Sequence, residues 1–398
     1  MPYPVSVARF SPSWSLVVPV QSIEGRSTRL RRQADRGRVL ALRPAVTYNP
    51  TDRLAADVSA RPPNRASDEA GGHLNIQAVM EAMGPDLKRV EDRLLEETAL
   101  EYPLVSEILR GLVAAGGKRL RPLLVLLAAR PFHYDVERLV PAAAGIELLH
   151  TASLIHDDSI DHAETRRGHP TLNTLFPTEI VIMVGDYMFA RSAMLAASTM
   201  NPRVLAVFAS CLGNICDGQL REIFAARRTD LSLEEYQRRI YGKTASLFAG
   251  STEIGAILGE AADEQIDALR RYGGHLGMAF QIVDDVLDLR ESAYHLGKPV
   301  GHDLRQGTLT LPTMLFLQQN LGNSGSRELV EQVLAGIADD AALGDAVLAI
   351  RQSGAIEQAL EIARQYVERA QESLRILPAG EARDMLEAIA EHAIERHS

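Results

Sequence analysis

Two stretches of this 398-residue chain gather carboxylates at a spacing that suits metal chemistry. The first reads Leu154-Ile155-His156-Asp157-Asp158-Ser159-Ile160-Asp161, and the second Gln281-Ile282-Val283-Asp284-Asp285-Val286-Leu287-Asp288. Each places Asp at i, i+1 and i+4. On a helix, i and i+4 stack one turn apart, with i+1 about 100° around. Both boxes close an apolar stretch, a costly location for unpaired carboxylates. A single acidic cluster is ordinarily a solvated helix face; two matching ones in this setting are not. Carboxylates are hard oxygen ligands suited to Mg²⁺, with Mn²⁺ as the alternative. Mg²⁺ is commonly shared between one or two carboxylates and the phosphates of a substrate. Asp157, Asp158, Asp161, Asp284, Asp285 and Asp288 are therefore candidate metal ligands, arranged to grip a diphosphate between two facing boxes.

Basic residues that would complement such a diphosphate come in compact groups. Gly116-Gly117-Lys118-Arg119-Leu120-Arg121-Pro122 opens a helix, whose N-terminal dipole favours an anion. The segment is not a P-loop, because it lacks the glycine spacing and the following Ser or Thr. Arg166-Arg167-Gly168 follows the first box, Gly297-Lys298-Pro299 follows the second, and Lys243-Thr244 interrupts an apolar helical run. Each group alone reads as an ordinary solvent-facing cluster, so their joint occurrence carries the argument.

The elements that must position these groups are helical. From about residue 76 apolar residues recur every three or four positions, as in Leu87, Val90, Leu94 and Leu95. The same pattern fills about 178–199, 203–226, 233–259, 263–290, 311–320, 326–336 and 355–374. Alternating strand patterns are scarce, and Gly, Pro or polar clusters mark the breaks, including 166–177 and 294–308. This predicts an all-α domain over 76–398, with long helices packed inside a bundle. Residues 1–75 differ in kind: the first 65 hold eleven Arg, no Lys and four acids. They read as a basic, disordered leader, with a transit peptide as the alternative. The whole chain carries a net charge of −10, which argues against a nucleic-acid partner. No uninterrupted apolar run approaches the ~18 residues of a membrane span. Cys211 and Cys216 fit no zinc spacing and read as reduced core thiols.

Taken in order, Gly-Gly-Lys-Arg-x-Arg-Pro, His-x-x-Ser-Leu-Ile-His-Asp-Asp-x-x-Asp, Arg-Arg-Gly-x-Pro, Gly-Asp-Tyr, Lys-Thr, Gln-x-x-Asp-Asp-x-x-Asp and Gly-Lys-Pro-x-Gly-x-Asp-Leu resemble the trans-isoprenyl diphosphate synthases, or polyprenyl synthetases. The resemblance covers roughly 80–398. It implies an isoprenoid synthase bundle of long helices around a central cavity, usually a homodimer. It implies Mg²⁺-dependent elongation of an allylic diphosphate with isopentenyl diphosphate. By this resemblance Asp157, Asp158 and Asp161 form the first metal motif and Asp284, Asp285 and Asp288 the second, with Asp288 contributing less directly. Arg166, Lys243, Gln281 and Lys298 match groups around the allylic diphosphate. Lys118, Arg121, His150 and Arg167 match the isopentenyl diphosphate site. Thr244 matches a residue whose oxygen faces the reacting carbons. His156 has a competing role in ordering the helix. The chain departs from many members at Thr308, where a lysine commonly follows the glycine, and this leaves Arg305 as the nearby cation.

The product's tail is expected to run from the first box along the same helix, with Ser153, Ala152 and Leu149 as its floor. Short-chain members carry bulky aromatic residues there or an insertion in the box; this chain has neither. The expected product therefore exceeds fifteen carbons, in the thirty-to-fifty range, with twenty as runner-up. A quinone side chain is its expected use, after transfer to membrane enzymes. The alternatives are a geranylgeranyl diphosphate synthase and a non-catalytic partner subunit of a heteromeric synthase. A terpene cyclase is disfavoured by the second aspartate box and by Lys118, Arg121 and His150. The expected location is the cytoplasm, or an organelle if the leader is a transit peptide.

Overall fold

The computed structural model describes residues 75–395, apart from 115, 116, 118, 167, 168, 291–299 and 321–323. The basic leader thus lies outside the described residues. The helices, in chain order, are α1 (Ile76–Glu97), α2 (Pro103–Ala114), α3 (Leu120–Ala129), α4 (Val136–Ile160), α5 (Thr178–Ser198), α6 (Pro202–Ala225), α7 (Leu233–Ile240), α8 (Ser246–Leu258), α9 (Asp263–Arg290), α10 (His302–Gln306), α11 (Leu311–Gln319), α12 (Ser324–Leu334), α13 (Asp340–Gln352), α14 (Ala355–Ser373) and α15 (Glu381–Glu395). One π-helical turn, Tyr241–Ala245, joins α7 to α8. The described strands are β1 (Thr165–Arg166) and β2 (His169–Pro170), an antiparallel pair in the connection between α4 and α5.

Local chemistry sets the helix starts. The Asn75 side chain accepts from the Ala78 amide at 2.9 Å, and Asp135 accepts from Glu137 at 3.1 Å. Ser232 and Glu235 form a reciprocal capping box at the start of α7. Packing sets the centre. In α3 every residue from Pro122 to Ala129 is buried, and in α8 nearly every one is. Each fully buried Leu or Ile there contributes about 1.5–3 kcal/mol relative to exposure. α8 lies between α3 and α9, α4 packs along α5, and α14 covers the outer side of α9.

Two helices, Val136–Ile160 and Thr178–Ser198, have the length and mean hydropathy to cross a bilayer. This corrects the reading of uninterrupted apolar runs, because isolated polar residues break the runs without lowering the average enough. α4 is mostly buried within the protein. α5 buries one stripe against α4 and leaves Ile182, Met183, Tyr187 and Met194 exposed. The thiols also divide: Cys211 is buried between α6 and α8, whereas Cys216 is exposed, so only the first is a core thiol. α10 lies in the 294–308 break. It is too short to leave a periodic signal.

Candidate active site

The first box occupies the last turn of α4. Asp158 is buried, and Arg166 Nε donates to both of its oxygens at 2.8 and 2.9 Å. The β1–β2 pair holds Arg166 in that position. Burial opposes charge on this guanidinium, but the hydrogen bond and field of Asp158 outweigh it, and its pKa rises. Asp157 has its carboxyl pushed up to about 6, chiefly by burial; Lys243 opposes the shift, and Glu222 and Asp161 add to it. Asp161 is exposed and caps the helix, its amide donating to the Asp157 carbonyl at 2.8 Å.

Across from this box stand α6 and the π-helical turn. A Cβ on Gly218 would lie 2.3 Å from the Lys243 amide nitrogen, and one on Gly242 2.8 Å from the Asn214 carbonyl oxygen. Only glycines allow this approach, which brings Lys243 onto Glu222 of α6 as a partly buried ion pair. Burial opposes the Lys243 charge, but Glu222 and Asp157 raise its pKa, so it stays an ammonium. The next residue serves the second box: Thr244 Oγ1 donates to Gln281 Oε1 at 2.6 Å. Gln281 Nε2 in turn donates to Asp285 Oδ1 at 2.9 Å. Tyr236 of α7 donates its hydroxyl to the other Asp285 oxygen at 2.7 Å. Asp285 is buried, and burial raises its pKa to about 6 against these two hydrogen bonds and the charge of Arg239.

Asp284 is exposed. Asp288 accepts from the backbone amides of His302 and Asp303, at 3.2 and 3.1 Å, and so holds the first turn of α10. Asp303 adds a further carboxyl to this group; its pKa is raised well above the usual range by burial, then by Asp288, Asp285, Asp284 and Glu222. Glu222 thus acts electrostatically on Asp157 of the first box and on Asp303 beside the second. The two boxes thus share Glu222 as a common electrostatic neighbour. Among the described residues, no three acidic, His or Cys side chains come together tightly enough to hold an ion unaided. Carboxylates of this kind suit a metal whose shell is completed by a ligand's oxygens, the mode in which Mg²⁺ is shared with phosphates.

The neighbouring face of α4 borders a cavity of about 270 Å³, lined by Arg119, Glu147, His150, Leu154 and the Asp158–Arg166 pair. Arg121, in the first turn of α3, lies 4.8 Å from the Phe248 ring centroid. Lys118, Arg167 and Lys298 lie outside the described residues. Leu149 and Ala152 are wholly buried and Ser153 is 8% exposed. His156 is a packing residue here: Nε2 donates to the Ile182 carbonyl at 3.1 Å, and its ring meets Phe189 edge-on. Gly185 leaves room for that ring, since a Cβ there would sit 2.2 Å from Nε2. Arg305 pairs with Asp340 at 2.8 Å on an exposed face.

Sequence reasoning missed Glu222, Tyr236 and Asp303. Glu222 did carry a signal, as the acidic end of the inward stripe Val204, Phe208, Cys211, Ile215 and Gly218. Tyr236 carried none, because it is one aromatic residue on a strongly polar helix.

The polyprenyl synthetase family model matches residues 102–348. The heptaprenyl diphosphate synthase component 2 of Geobacillus stearothermophilus is 38% identical over 320 residues, covering 80% of this chain and 98% of that protein. The crystal structure of a decaprenyl diphosphate synthase from Rhodobacter capsulatus superposes with a TM-score of 0.76 at 36% identity, covering 81% of this chain and 99% of the other. A polyprenyl synthase from Caulobacter crescentus CB15, complexed with calcium and isoprenyl diphosphate, gives 0.78 at 31% identity, covering 82% of this chain and 100% of the other.

Proposed function

Because the chain belongs to the polyprenyl synthetase family, and is a trans-polyprenyl diphosphate synthase with products beyond fifteen carbons, we propose that it extends an allylic diphosphate with isopentenyl diphosphate at the two boxes. The observation that carries this is Glu222, paired with Lys243, acting both on Asp157 of the first box and on Asp303 beside the second, with Asp158 and Asp285 buried and hydrogen-bonded behind them.

The residues divide the work as follows. Asp157, Asp161 and Asp284 would hold Mg²⁺, with the allylic diphosphate completing its shell. The chemistry supplied by the bound metal is neutralisation of charge on the leaving diphosphate. Arg166 and Lys243 take up the rest of that charge as the allylic C–O bond breaks, and Lys298 belongs to the same group. Thr244 donates its proton to Gln281, which leaves the oxygen's lone pairs available to the allylic cation. The buried helical walls keep water from that cation. Arg121 and His150, with Lys118 and Arg167, seat isopentenyl diphosphate beside the cavity, and its double bond attacks the cation. The departing proton goes to the released diphosphate.

The product is placed at thirty to fifty carbons, long enough for a quinone side chain. The small side chains of Ser153 and Ala152, one turn before Asp157, support this, and Leu149 is the next residue down. Ser153→Phe and Ala152→Tyr should shorten the product; the same product spectrum in both variants refutes the assignment. A homodimer through α5 and α6 accounts for the exposed Met183, Tyr187, Met194, Leu220 and Phe224. The name of the Geobacillus relative, component 2, favours a second reading in which a different subunit completes the enzyme.

One experiment tests these points. The purified chain is given Mg²⁺, labelled isopentenyl diphosphate and ten-, fifteen- or twenty-carbon allylic starters, and the dephosphorylated products are sized. Incorporation by the chain alone, with products beyond twenty carbons, is expected. A folded dimer that incorporates nothing favours the heteromeric reading.

A further inference from the structure

Arg119 is the one cation of the Gly-Gly-Lys-Arg-x-Arg-Pro segment that the proposed chemistry leaves without a role. It is also tightly constrained. Its backbone is left-handed, with φ of 48°, a conformation that non-glycine residues seldom adopt. Its side chain is buried, and it lines the same cavity as His150 and the Asp158–Arg166 pair. Nη1 donates to Glu147 Oε1 at 2.9 Å, and Glu147 is buried as well. Nη2 donates to the Val113 carbonyl in the last turn of α2. Nε faces Glu91 of α1 at 4.0 Å. A single guanidinium therefore ties the start of α3 to the end of α2, to α1 and to α4.

The points that it ties are the ones that carry the isopentenyl diphosphate groups. Arg121 lies two residues after Arg119, in the first turn of α3. His150 lies one turn after Glu147, on the same side of α4, and both line the cavity. Phe248 holds Arg121 from the α8 side. The Arg119–Glu147 contact thus links the start of α3, which carries Arg121, to the stretch of α4 that carries His150. Burial of both charges makes that contact intolerant of losing either partner.

We propose that Arg119, acting through Glu147, is a positioning residue for the isopentenyl diphosphate site and fixes the gap into which that diphosphate fits. This rests on the assignment of Arg121 and His150 to that site. It claims no contact between Arg119 and substrate. Lysine cannot reproduce the device, because it lacks the planar fork that reaches Glu147 and the Val113 carbonyl together.

The test measures KM for isopentenyl diphosphate and for the allylic diphosphate separately in Arg119→Lys, Glu147→Gln, Arg121→Ala and His150→Ala. The expected result in the first two is a rise of about tenfold or more in the isopentenyl diphosphate KM, with the allylic KM within about twofold of the parent. The double variant Arg119→Met/Glu147→Leu replaces the ion pair by apolar side chains, which keeps the region packed. It should recover thermal stability and keep the raised isopentenyl diphosphate KM. Recovery of both would show a purely structural pair and overturn the proposal. So would equal rises in the two KM values. If Arg121→Ala and His150→Ala raise the isopentenyl diphosphate KM and the Arg119 and Glu147 variants do not, the positioning role alone fails. If Arg121→Ala and His150→Ala leave it unchanged, the site assignment fails, and the positioning role with it.

Discussion

In the first box the buried second aspartate, Asp158, is held by the guanidinium of Arg166; in the second box its counterpart, Asp285, is held by two neutral donors, Gln281 and Tyr236. The third positions differ too. Asp161 is exposed at the end of its own helix, while Asp288 receives the amides of the helix that follows. A cation that neutralises a carboxylate can exchange it for an incoming diphosphate, since both are anions of similar geometry. A chain of neutral hydrogen bonds has no such exchange available. On the proposed chemistry the first box would respond to substrate and the second would stay where it is. The shared Asp-Asp-x-x-Asp spacing conceals different settings: the second residue is buried and hydrogen-bonded, and the third stands at a helix junction.

The comparison can be broken most severely at the first positions. Asp157→Asn and Asp284→Asn should each lower kcat by about 10³-fold, and chelation should abolish turnover until Mg²⁺ is restored, as measured by incorporation of labelled isopentenyl diphosphate. A mild effect at either residue would remove it from the set that faces substrate. The second positions sharpen the contrast. Asp158→Asn frees Arg166 for the incoming diphosphate and should lower the allylic KM by about tenfold. Asp285→Asn should instead lower kcat by about tenfold with little change in KM, because it disturbs a fixed scaffold. Identical KM and kcat patterns in the two would erase the distinction. Tyr236→Phe removes one hydrogen bond to a carboxylate and should cost about 1.5–3 kcal/mol of stability, read from denaturant midpoints. The smallest change is expected at Asp288→Ala: loss of its hold on α10, worth ~1 kcal/mol, and a melting temperature lower by a few degrees. A loss of activity there as large as at Asp284 would mean that Asp288 also faces the reaction.

The boxes were legible because helical geometry turns a spacing of one and four residues into a directed surface, and both helices announce themselves by apolar periodicity. The sequence did not say which aspartate faces inward. That depends on partners distant in the chain: Arg166 sits on a short strand pair, Tyr236 on α7, and Glu222 on α6. Lys243 and Thr244 were singled out as a pair within an apolar helix, but their division between the two boxes follows from a π-helical turn that no residue pattern signals. Asp303 was quoted within a motif without being assigned to the carboxylate group. It joins that group because α10 folds back onto Asp288.

That π-helical turn is also an extra residue. An α-helix continues each side chain about 100° on from the last, so one surplus residue resets the phase of everything that follows. Tyr241–Ala245 takes up that step between α7, which carries Tyr236, and α8, which carries Phe248. Deleting any one of the five residues would leave two sound helices and a continuous hydrogen-bond ladder. α7 and α8 would also keep close to their present orientation, Tyr236 toward Asp285 and Phe248 toward Arg121, because the wide turn is what absorbs the surplus residue. The lesion would fall inside the turn, where Lys243 and Thr244 would lose the positions that bring them to Glu222 and Gln281 while both helices stayed intact.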